Sequence, residues 1–457
     1  MAISSDQSIL SLLKVFYKDG LQNLMFRNDP LLEKLEKVHI EGKAYNFSAM
    51  YGRGGACSAD YTVAKRVAAK NTKNAEFSVE PGQLFSACSY NQKEILASKT
   101  TPGAYMKVAG AKFFAGQEAF RKQFAAASYE RGFGELAKSS FAGSVTSGTP
   151  FELTLPASAV MAIDIDSQLV VKASVAATAV KTKLVVTQID DATGKVTVVP
   201  DTSVTLANTD IIAFDGSVDA SGNPLLPMGL AGWLPTIGKR KGSAWANYIK
   251  TPFFGVNRAV APSRLAGAFI DGTGDTKKSE TLIKLIKQVR RQGSKADIIV
   301  LNDEDWKDIA DEIQNTNTYM SETKTTGKRQ MNIGVDKFSV SFSTNFLDSV
   351  IDTPYCPKGT AYVLDSDAIE LATYTNTDKL SDGVVDNEPG KADPLSENFD
   401  AEQAYKLNVE DYISVQPGAD SIDGPSTIVS LSLFGSIVVT NPSNCGVALF
   451  NGAEVLE

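Results

Sequence analysis

The spacing of apolar residues changes several times along the chain, and at the start it is helical. Residues 8–27 carry apolar side chains three and four positions apart, and "LLEKLEKVH" at 31–39 repeats that spacing after the turn "RNDP". Such spacing places the apolar side chains on one face of a helix. Pro30 suits a first helical turn, where a missing N–H costs nothing. We expect two short helices that form an arm rather than a compact domain.

From Lys43 the pattern becomes an alternation, which indicates strands. "KAYNFSAMYG" and "AEFSVEPGQLFSACSYNQ" flank "RGGACSADYTVAKRVAAKNTKN", a tip rich in Gly, Ala and Lys. This out-and-back order predicts a β-hairpin over residues 43–95. Because a two-stranded ribbon is marginal in water, its apolar face needs a partner surface, and another chain is one source of it.

Residues 110–138 form the longest helical candidate. One face of this helix would carry Phe113, Gln117, Phe120, Phe124 and Ala127. A helix of about 25 residues is a rod of roughly 35–40 Å. Gly132 and Gly134 then predict a bent or frayed end.

The chain turns β-rich over 150–216 and then mixes both patterns. "QLVVKASV", "TKLVVTQIDDATGKVTVVP" and "DTSVTLANTDIIAFDG" predict short strands, with a hairpin loop at 190–194, in a small barrel or sandwich.

After a Pro/Gly-rich connector, the pattern predicts helices at 277–291 and 303–315 and strands at 297–301, 337–343 and 360–365. Residues 376–412 are acidic, and the last segment reads as two or three strands. The second lobe is therefore an α/β or α+β layer.

Composition narrows the function classes. The 457 residues are 43% hydrophobic and 21% charged, which is ordinary for a folded protein, and the formal net charge is −8. That sign argues against a protein whose main task is to neutralise nucleic-acid phosphates. The four cysteines, Cys57, Cys88, Cys356 and Cys445, are far apart and predict free thiols, with a pairing of the last two left open. No targeting segment or membrane span is predicted.

The sequence offers one nucleotide-site lookalike. "GTGDTKKS" at 272–279 resembles a phosphate-binding loop, but Lys277 stands where the loop needs glycine and Asp275 adds a negative charge. We interpret it as a helix start capped by Asp275 or Thr276, and "LNDEDW" as another, capped by Asn302 or Asp303. His39, the single histidine, limits histidine-based catalysis. We predict no catalytic residue, no cofactor and no metal.

Charged segments are the remaining candidates. The hairpin tip carries a group of basic residues, Arg53, Lys65, Arg66, Lys70 and Lys73. A solvated face is the simplest interpretation, and nucleic-acid stacking is disfavoured because Tyr61 is the single aromatic residue there. The alternative is an inter-subunit contact with an acidic surface, for which residues 382–402 are one candidate, including Asp382, Asp386 and Glu388.

In this order, the segments resemble a tailed-phage major capsid protein of the Hong Kong 97 type. "FYKDGLQNLMFRNDPLLEKLEKVHIEGKAYNFSAMYG" is similar to the family's arm and extended loop, and "GAKFFAGQEAFRKQFAAASYERGFGELAK" to its spine helix. "LPMGLAGWLP", "GVNRAVAPSRLAGAFIDGTG" and "ADIIVLNDEDWKDIADEI" resemble the opening of the axial domain. "SIVVTNPSNCGVALF" resembles the return to the peripheral sheet.

The resemblance implies an α+β fold in six parts. These are an arm (1–42), an extended hairpin loop (43–100), the spine helix and peripheral domain (101–149), a β-rich insertion domain (150–225), an axial α/β domain (226–412) and C-terminal strands returning to the peripheral domain (413–457). The implied function is a structural subunit that self-assembles as hexamers and pentamers into an icosahedral shell. The shell encloses double-stranded DNA without binding it specifically.

The resemblance also implies a location and partners. The chain would assemble in the host cytoplasm and end in the virion, without a membrane. Portal, decoration and scaffolding proteins are candidate partners. Scaffolding is expected to be a separate protein, because the sequence opens directly on the arm. Two alternatives stay open: a hydrolase-like enzyme with a β lid, and a β-rich tail or adhesion protein.

Overall fold

The computed structural model describes residues 30–40, 42–52, 58–68, 72–91, 108–316, 349–374, 414–420 and 426–453. Its described α-helices are α1 Pro30–Lys34, α2 Tyr61–Ala68, α3 Val108–Ala127, α4 Ala157–Ala162, α5 Leu230–Trp233, α6 Gly242–Lys250, α7 Pro262–Leu265, α8 Lys278–Arg291 and α9 Asp303–Thr316. Its described strands are β1 Glu36–His39, β2 Tyr45–Gly52, β3 Lys73–Val79, β4 Gly82–Asn91, β5 Glu135–Lys138, β6 Gly143–Val145, β7 Phe151–Thr154, β8 Gln168–Lys172, β9 Val180–Asp190, β10 Lys195–Pro200, β11 Val204–Leu206, β12 Ile211–Phe214, β13 Ala268–Asp271, β14 Ile298–Leu301, β15 Ser349–Asp352, β16 Thr360–Leu364, β17 Ile369–Thr373, β18 Ser414–Asp420, β19 Ser426–Val439 and β20 Gly446–Leu449.

The chain divides into two compact units. The first includes Gly82–Phe124 and Thr373–Gly435, and the second includes Asp29–Pro81, Ala125–Ala372 and Ser436–Glu457. In the first unit, β4 pairs antiparallel with the N-terminal part of β19, and β18 pairs with β19 as well. Phe85 and Phe434 meet edge to face across that ladder, with ring centroids 5.4 Å apart.

The long helix exists but is shorter than predicted. The predicted face is confirmed where side chains are described, since Gln117, Phe120, Phe124 and Ala127 are buried. The side chain of Phe113 lies outside the described residues. Helix α3 ends at Ala127, so the prediction that it continues to 138 is wrong, and residues 135–138 form β5.

Two glycines explain where that helix ends. Gly132 and Gly134 have φ values of +80° and +64°. A Cβ at Gly132 would lie 2.9 Å from the Leu226 carbonyl oxygen, and one at Gly134 would lie 2.8 Å from Leu226 Cδ1. The left-handed backbone and the missing side chain let the chain turn out of the helix into a sheet.

The β-rich segment of the second unit is a six-stranded antiparallel sheet. Its strand order is β5-β12-β8-β9-β10-β7, and β6 and β11 form a separate pair. The hairpin at 190–194 joins β9 to β10, as the sequence predicts. Alternate side chains, among them Leu184, Val186 and Val198, are fully buried, which gives the sheet a core face. The sheet begins at Glu135, ahead of the expected boundary at 150.

The α/β part of the second unit is a five-stranded mixed sheet in the order β13-β20-β16-β14-β15. The apolar face of α8 that the sequence predicts, Leu282, Leu285, Ile286 and Val289, is fully buried against this sheet. Strand β20 lies between β13 and β16. The closing strands therefore do not all join one sheet, contrary to the expectation for 413–457, because "GVAL" is apolar on both faces and suits a central position.

The start of the described chain also differs from its prediction. The helix expected over 31–39 ends at Lys34, and Glu36–His39 forms β1, which pairs with β17.

Cys356 and Cys445 are buried free thiols, whereas Cys57 and the side chain of Cys88 lie outside the described residues. The predictions for 8–27, 337–343 and 376–412 lie outside them as well. Across the described ranges, no helix is long and apolar enough to cross a membrane.

Candidate assembly surface

Strands β2 and β3 form an antiparallel ribbon with one apolar and one polar face. Phe47 lies opposite Phe77 in the register. Because alternate residues share a face, Tyr45, Phe47 and Ala49 lie on the same side as Ala75, Phe77 and Val79. The three β3 residues of this set are buried, whereas Ser48 and Glu76, on the opposite face, are exposed.

The apolar face of the ribbon packs on Trp233, the last residue of α5. The Trp233 ring centroid lies 5.5 Å from that of Phe77 and 6.0 Å from that of Phe47. Phe253 meets the same ring edge to face at 5.0 Å. The indole Nε1 donates a hydrogen bond of 2.7 Å to the Ile437 carbonyl oxygen, which fixes the ring. Aromatic pairs in such geometries add about 0.5–1.5 kcal/mol beyond burial.

Three hydrogen bonds join the ribbon to the same body. The Ser78 backbone N–H donates to the Phe254 carbonyl oxygen at 3.1 Å. The Tyr45 hydroxyl donates to Glu370 Oε2 at 2.9 Å, and Arg264 Nη1 donates to the Tyr51 carbonyl oxygen. Burial, followed by the hydrogen bond and negative charge of Glu370, raises the pKa of Tyr45 to about 12. The hydroxyl therefore stays a donor near neutral pH.

A buried arginine supports the loop that holds the ribbon. The Arg258 guanidinium lies 4.0 Å from the centre of the Phe253 ring, and its Nη1 donates to the Gly232 carbonyl oxygen at 2.9 Å. Burial lowers the pKa of Arg258 below its ordinary value. A desolvated cation on an aromatic face is worth about 2 kcal/mol. This stack fixes Phe253 against Trp233.

These contacts correct one sequence expectation. We predicted a partner surface for the ribbon and named another chain as one source, but this chain covers the apolar face itself with Trp233, Phe253 and Phe254. The pattern could not show this, because residues 219–238 read as a connector. A tryptophan inside the apolar run "GLAGWLP" was the available signal.

The tip of the ribbon presents basic and apolar side chains to solvent. Helix α2 follows Asp60, whose Oδ1 accepts the Thr62 N–H at 2.8 Å. Lys65 and Arg66 are exposed on this helix, and Lys73 is exposed at the start of β3. Tyr61 and Met50 are 79% and 60% exposed. Met50 is an exposed apolar residue that the sequence pattern did not indicate.

The other candidate contact residues cannot be placed. Arg53 and Lys70 of the basic group, and Asp382, Asp386 and Glu388 of the acidic group, lie outside the described residues. The structure therefore brings Lys65 and Arg66 together on one helix. It leaves their pairing with the acidic segment as a prediction.

The nucleotide-site lookalike is a helix start held by carboxylates. Lys278 Nζ lies 2.8 Å from Asp305 Oδ1 and 2.5 Å from Asp308 Oδ2. These negative charges would repel a phosphate at this lysine. Glu312 accepts the backbone N–H groups of Lys278 and Ser279 at 2.9 and 3.0 Å, so it caps α8.

The two predicted caps have different outcomes. The cap by Asp275 or Thr276 is wrong, because Asp275 Oδ2 instead accepts the Thr281 hydroxyl at 2.7 Å and pairs with Lys284. The cap by Asn302 or Asp303 is confirmed, since both side chains accept the Glu304 N–H.

Over the described ranges, no group of three His, Cys, Asp or Glu side chains is arranged to hold a metal.

No family model matches the chain, and no curated protein matches it. Among solved structures, it is similar to a chain of the Cyanophage A-1(L) capsid asymmetric unit, at 13% identity and a TM-score of 0.53. That match covers 96% of each chain. A chain of Mycobacterium phage Bobi matches at 10% identity and a TM-score of 0.43, over 99% of this chain and 100% of that one. A chain of the Synechococcus elongatus SrpI encapsulin complex matches at 8% and 0.44, over 98% and 96%.

The cyanophage match spans nearly all of both chains, and it shows the fold. The chain has the α+β capsid fold of the Hong Kong 97 type that the resemblance implies.

Proposed function

We propose that the chain is the major capsid protein of a tailed phage, a structural subunit that builds an icosahedral shell from hexamers and pentamers. The observation that carries the proposal is the fold likeness to a phage capsid chain over 96% of both chains. The proposal includes the six-part division of the chain with two changes: the β-rich part begins at Glu135, and β20 belongs to the α/β sheet.

The ribbon and its tip support a role in contacts between subunits. Trp233 packs against Phe77 of the ribbon and against Phe253, while Tyr61, Met50, Lys65 and Arg66 are exposed. Closed assemblies join different patches on neighbouring copies by rotation. We propose that the tip is such a patch, with Lys73 and the undescribed Arg53 and Lys70 as further members.

The rest of the proposal concerns the surroundings of the shell. The net charge of −8 suits a container that encloses DNA without binding it tightly. Assembly in the host cytoplasm, residence in the virion, and contacts with portal, decoration and separate scaffolding proteins are parts of the same proposal. The role is structural rather than catalytic. The enzyme and tail-protein alternatives receive no support from the comparisons.

Negative-stain microscopy of the purified full chain, expressed alone and with its neighbouring phage genes, tests this function. We expect closed shells, or rings of five and six copies. Compact monomers that turn over a substrate would favour the enzyme, and elongated trimers would favour the tail protein. Either result would overturn the proposal.

A further inference from the structure

The turn that follows β20 contains the one Asn-Gly pair in the sequence, Asn451-Gly452. The Ala453 N–H donates to the Phe450 carbonyl oxygen at 3.2 Å, which closes a four-residue β-turn around this pair. Gly452, at the third position of the turn, has a φ of +83°. Most residues with a side chain are strained at such a φ, whereas glycine adopts it freely. The turn therefore favours glycine as the residue after Asn451.

Both ends of this turn are attached to the α/β part of the second unit. Phe450 is fully buried, and its N–H donates to the Gly359 carbonyl oxygen at 2.8 Å. At the other end, a Cβ added at Gly359 would lie 2.4 Å from Ala453 Cα, so the two backbones are in close contact. The ends of the turn are thus fixed, while Asn451 and Gly452 between them are exposed.

The side chain of Asn451 and the backbone nitrogen of Gly452 are neighbours that the fold leaves unrestrained. Neither the Asn451 amide nor the Gly452 N–H forms a hydrogen bond with another described residue. Both residues line an open recess of about 640 Å³, so water reaches them. A Cβ at Gly452 would meet nothing within 4 Å, which shows that the space around this residue is free.

We propose that Asn451 is a deamidation site that reacts through a succinimide, with solvent water as the co-reactant. The Gly452 nitrogen gives its proton to solvent and attacks Asn451 Cγ. The NH₂ group on that carbon takes a proton from solvent and leaves as ammonia. The cyclic imide then adds one water molecule and opens at either carbonyl, which gives aspartate or isoaspartate. Each chain loses one ammonia, takes up one water and gains one negative charge.

The product changes both the charge of the recess and the path of the backbone. The recess is also lined by one ammonium group, that of Lys278, and by four carboxyl groups, those of Asp275, Asp308, Asp311 and Glu312. A further carboxylate at position 451 is repelled by its like charges. Isoaspartate adds one carbon atom to the main chain inside the turn. We expect this extra atom to break the hydrogen bond from the Ala453 N–H to the Phe450 carbonyl oxygen.

The β-rich part contains a matched turn that should not react. Asn208 is exposed at the second position of the turn 207–210, which the Asp210 N–H closes on the Ala207 carbonyl oxygen at 2.9 Å. Thr209 follows Asn208, and a β-branched side chain crowds the backbone next to it. The two asparagines share exposure and position in a turn, so the residue that follows each one sets them apart.

Peptide mapping by mass spectrometry of the folded full chain, incubated at mildly alkaline pH, tests the site. We expect the NH₂ group of Asn451 to be replaced by OH over time, with labelling of the same peptide by an isoaspartyl methyltransferase and no change at Asn208. The rate should rise with pH, because the attacking nitrogen must lose its proton. No conversion at Asn451, conversion of Asn208 at the same rate, or aspartate without isoaspartate would overturn the proposal.

Two variants and a reference peptide separate the chemistry from the fold. Thr209→Gly supplies an unhindered nitrogen in the matched turn, and conversion at Asn208 should begin. Asn451→Gln makes the ring one atom larger and should stop the reaction at that position. A synthetic peptide of residues 447–453 gives the rate without the fold, and a folded chain that stays unmodified while the peptide converts would contradict the proposal. Shell formation is not part of any readout, so the result is independent of the proposed function.

Discussion

The rings of Phe77 and Trp233 pack with centroids 5.5 Å apart, and this contact joins the hairpin ribbon to the end of α5. Both side chains are fully buried. They lie 156 positions apart in the sequence, so the contact closes a long loop of chain. The direction of the ribbon therefore depends on the folded second unit.

Removing the Phe77 ring should destabilise the subunit. Phe77→Ala leaves a cavity beside Trp233, and such changes cost about 3–5 kcal/mol. Met50→Ala is the matched control on the same ribbon, because Met50 is 60% exposed, and it should change stability by less than about 0.5 kcal/mol. Denaturant unfolding of the two variants measures the difference. Equal losses would show that the ribbon does not pack on Trp233.

The ion pair under the nucleotide-site lookalike provides a second test. Asp305 is fully buried and accepts the Gly359 N–H at 2.6 Å as well as Lys278 Nζ. Asp305→Ala leaves Lys278 poorly paired and should cost about 3–5 kcal/mol in unfolding free energy. Asp308→Ala removes the exposed partner of the same lysine and should cost no more than about 1 kcal/mol. A reversed order would contradict the described geometry.

Features of the fold that depend on residues close together in the sequence could be predicted, whereas features that depend on distant residues could not. The 190–194 hairpin and the buried face of α8 depend on neighbours in sequence, and both are confirmed. Glu312 caps α8 from 33 positions away, and no local pattern indicates it. "LLEKLEKVH" has helical spacing, but pairing with β17 makes Glu36–His39 a strand. For the candidate site, the basic tip was predictable, whereas the cover that Trp233 gives the ribbon was not.

Substituting two glycines that both have positive φ distinguishes the cost of backbone strain from the cost of steric contact. Gly134 and Gly148 have φ values of +64° and +74°, but a Cβ at Gly148 would meet nothing within 4 Å. Gly148→Ala should therefore cost about 1 kcal/mol from strain alone. Gly134→Ala adds contacts of 2.8 Å with Leu226 Cδ1 and 3.0 Å with Ser217 Cβ, and should cost about 1–3 kcal/mol more. Equal melting temperatures for the two variants would contradict this account.

Stability should fall with rising pH because of Glu130. Burial, followed by the charge of Glu135, raises the pKa of Glu130 well above its ordinary value of 4.5, while Arg131 lowers it. The folded state therefore holds a proton that the unfolded state has already released. The stability that this proton contributes is complete below about pH 4.5 and is lost as pH rises through the raised pKa.

Glu130→Gln should remove this part of the pH dependence and be more stable than the unmodified chain at alkaline pH. Glu130 lines a cavity of about 430 Å³ in the second unit. The other titratable groups that line this cavity are Tyr129, Glu135, Lys138, Tyr355, Lys358 and Tyr362. Tyr248 interacts electrostatically with Arg131. Glu152→Gln, at an exposed carboxylate, is the control. Unfolding free energies measured at several pH values give the slopes. Parallel curves for Glu130→Gln and the unmodified chain would exclude Glu130 as the cause.

Charge reversal at the tip should block assembly without unfolding the subunit. Lys65 and Arg66 are exposed, so Lys65→Glu with Arg66→Glu should change unfolding free energy by less than about 0.5 kcal/mol per site. We expect the double variant to stay unassembled in sedimentation velocity. Lys295→Glu with Lys307→Glu makes the same charge change at exposed positions away from the tip and should still assemble. Assembly of both double variants would remove the tip from the interface.

Single-particle cryo-microscopy of assemblies of the full chain, processed without imposed symmetry, tests the central claim most directly. We predict closed shells of five-fold and six-fold rings in which α2 of each copy, with Lys65 and Arg66, contacts a neighbouring copy. A preparation that contains only separate folded chains, or shells in which α2 faces solvent in every copy, would contradict it.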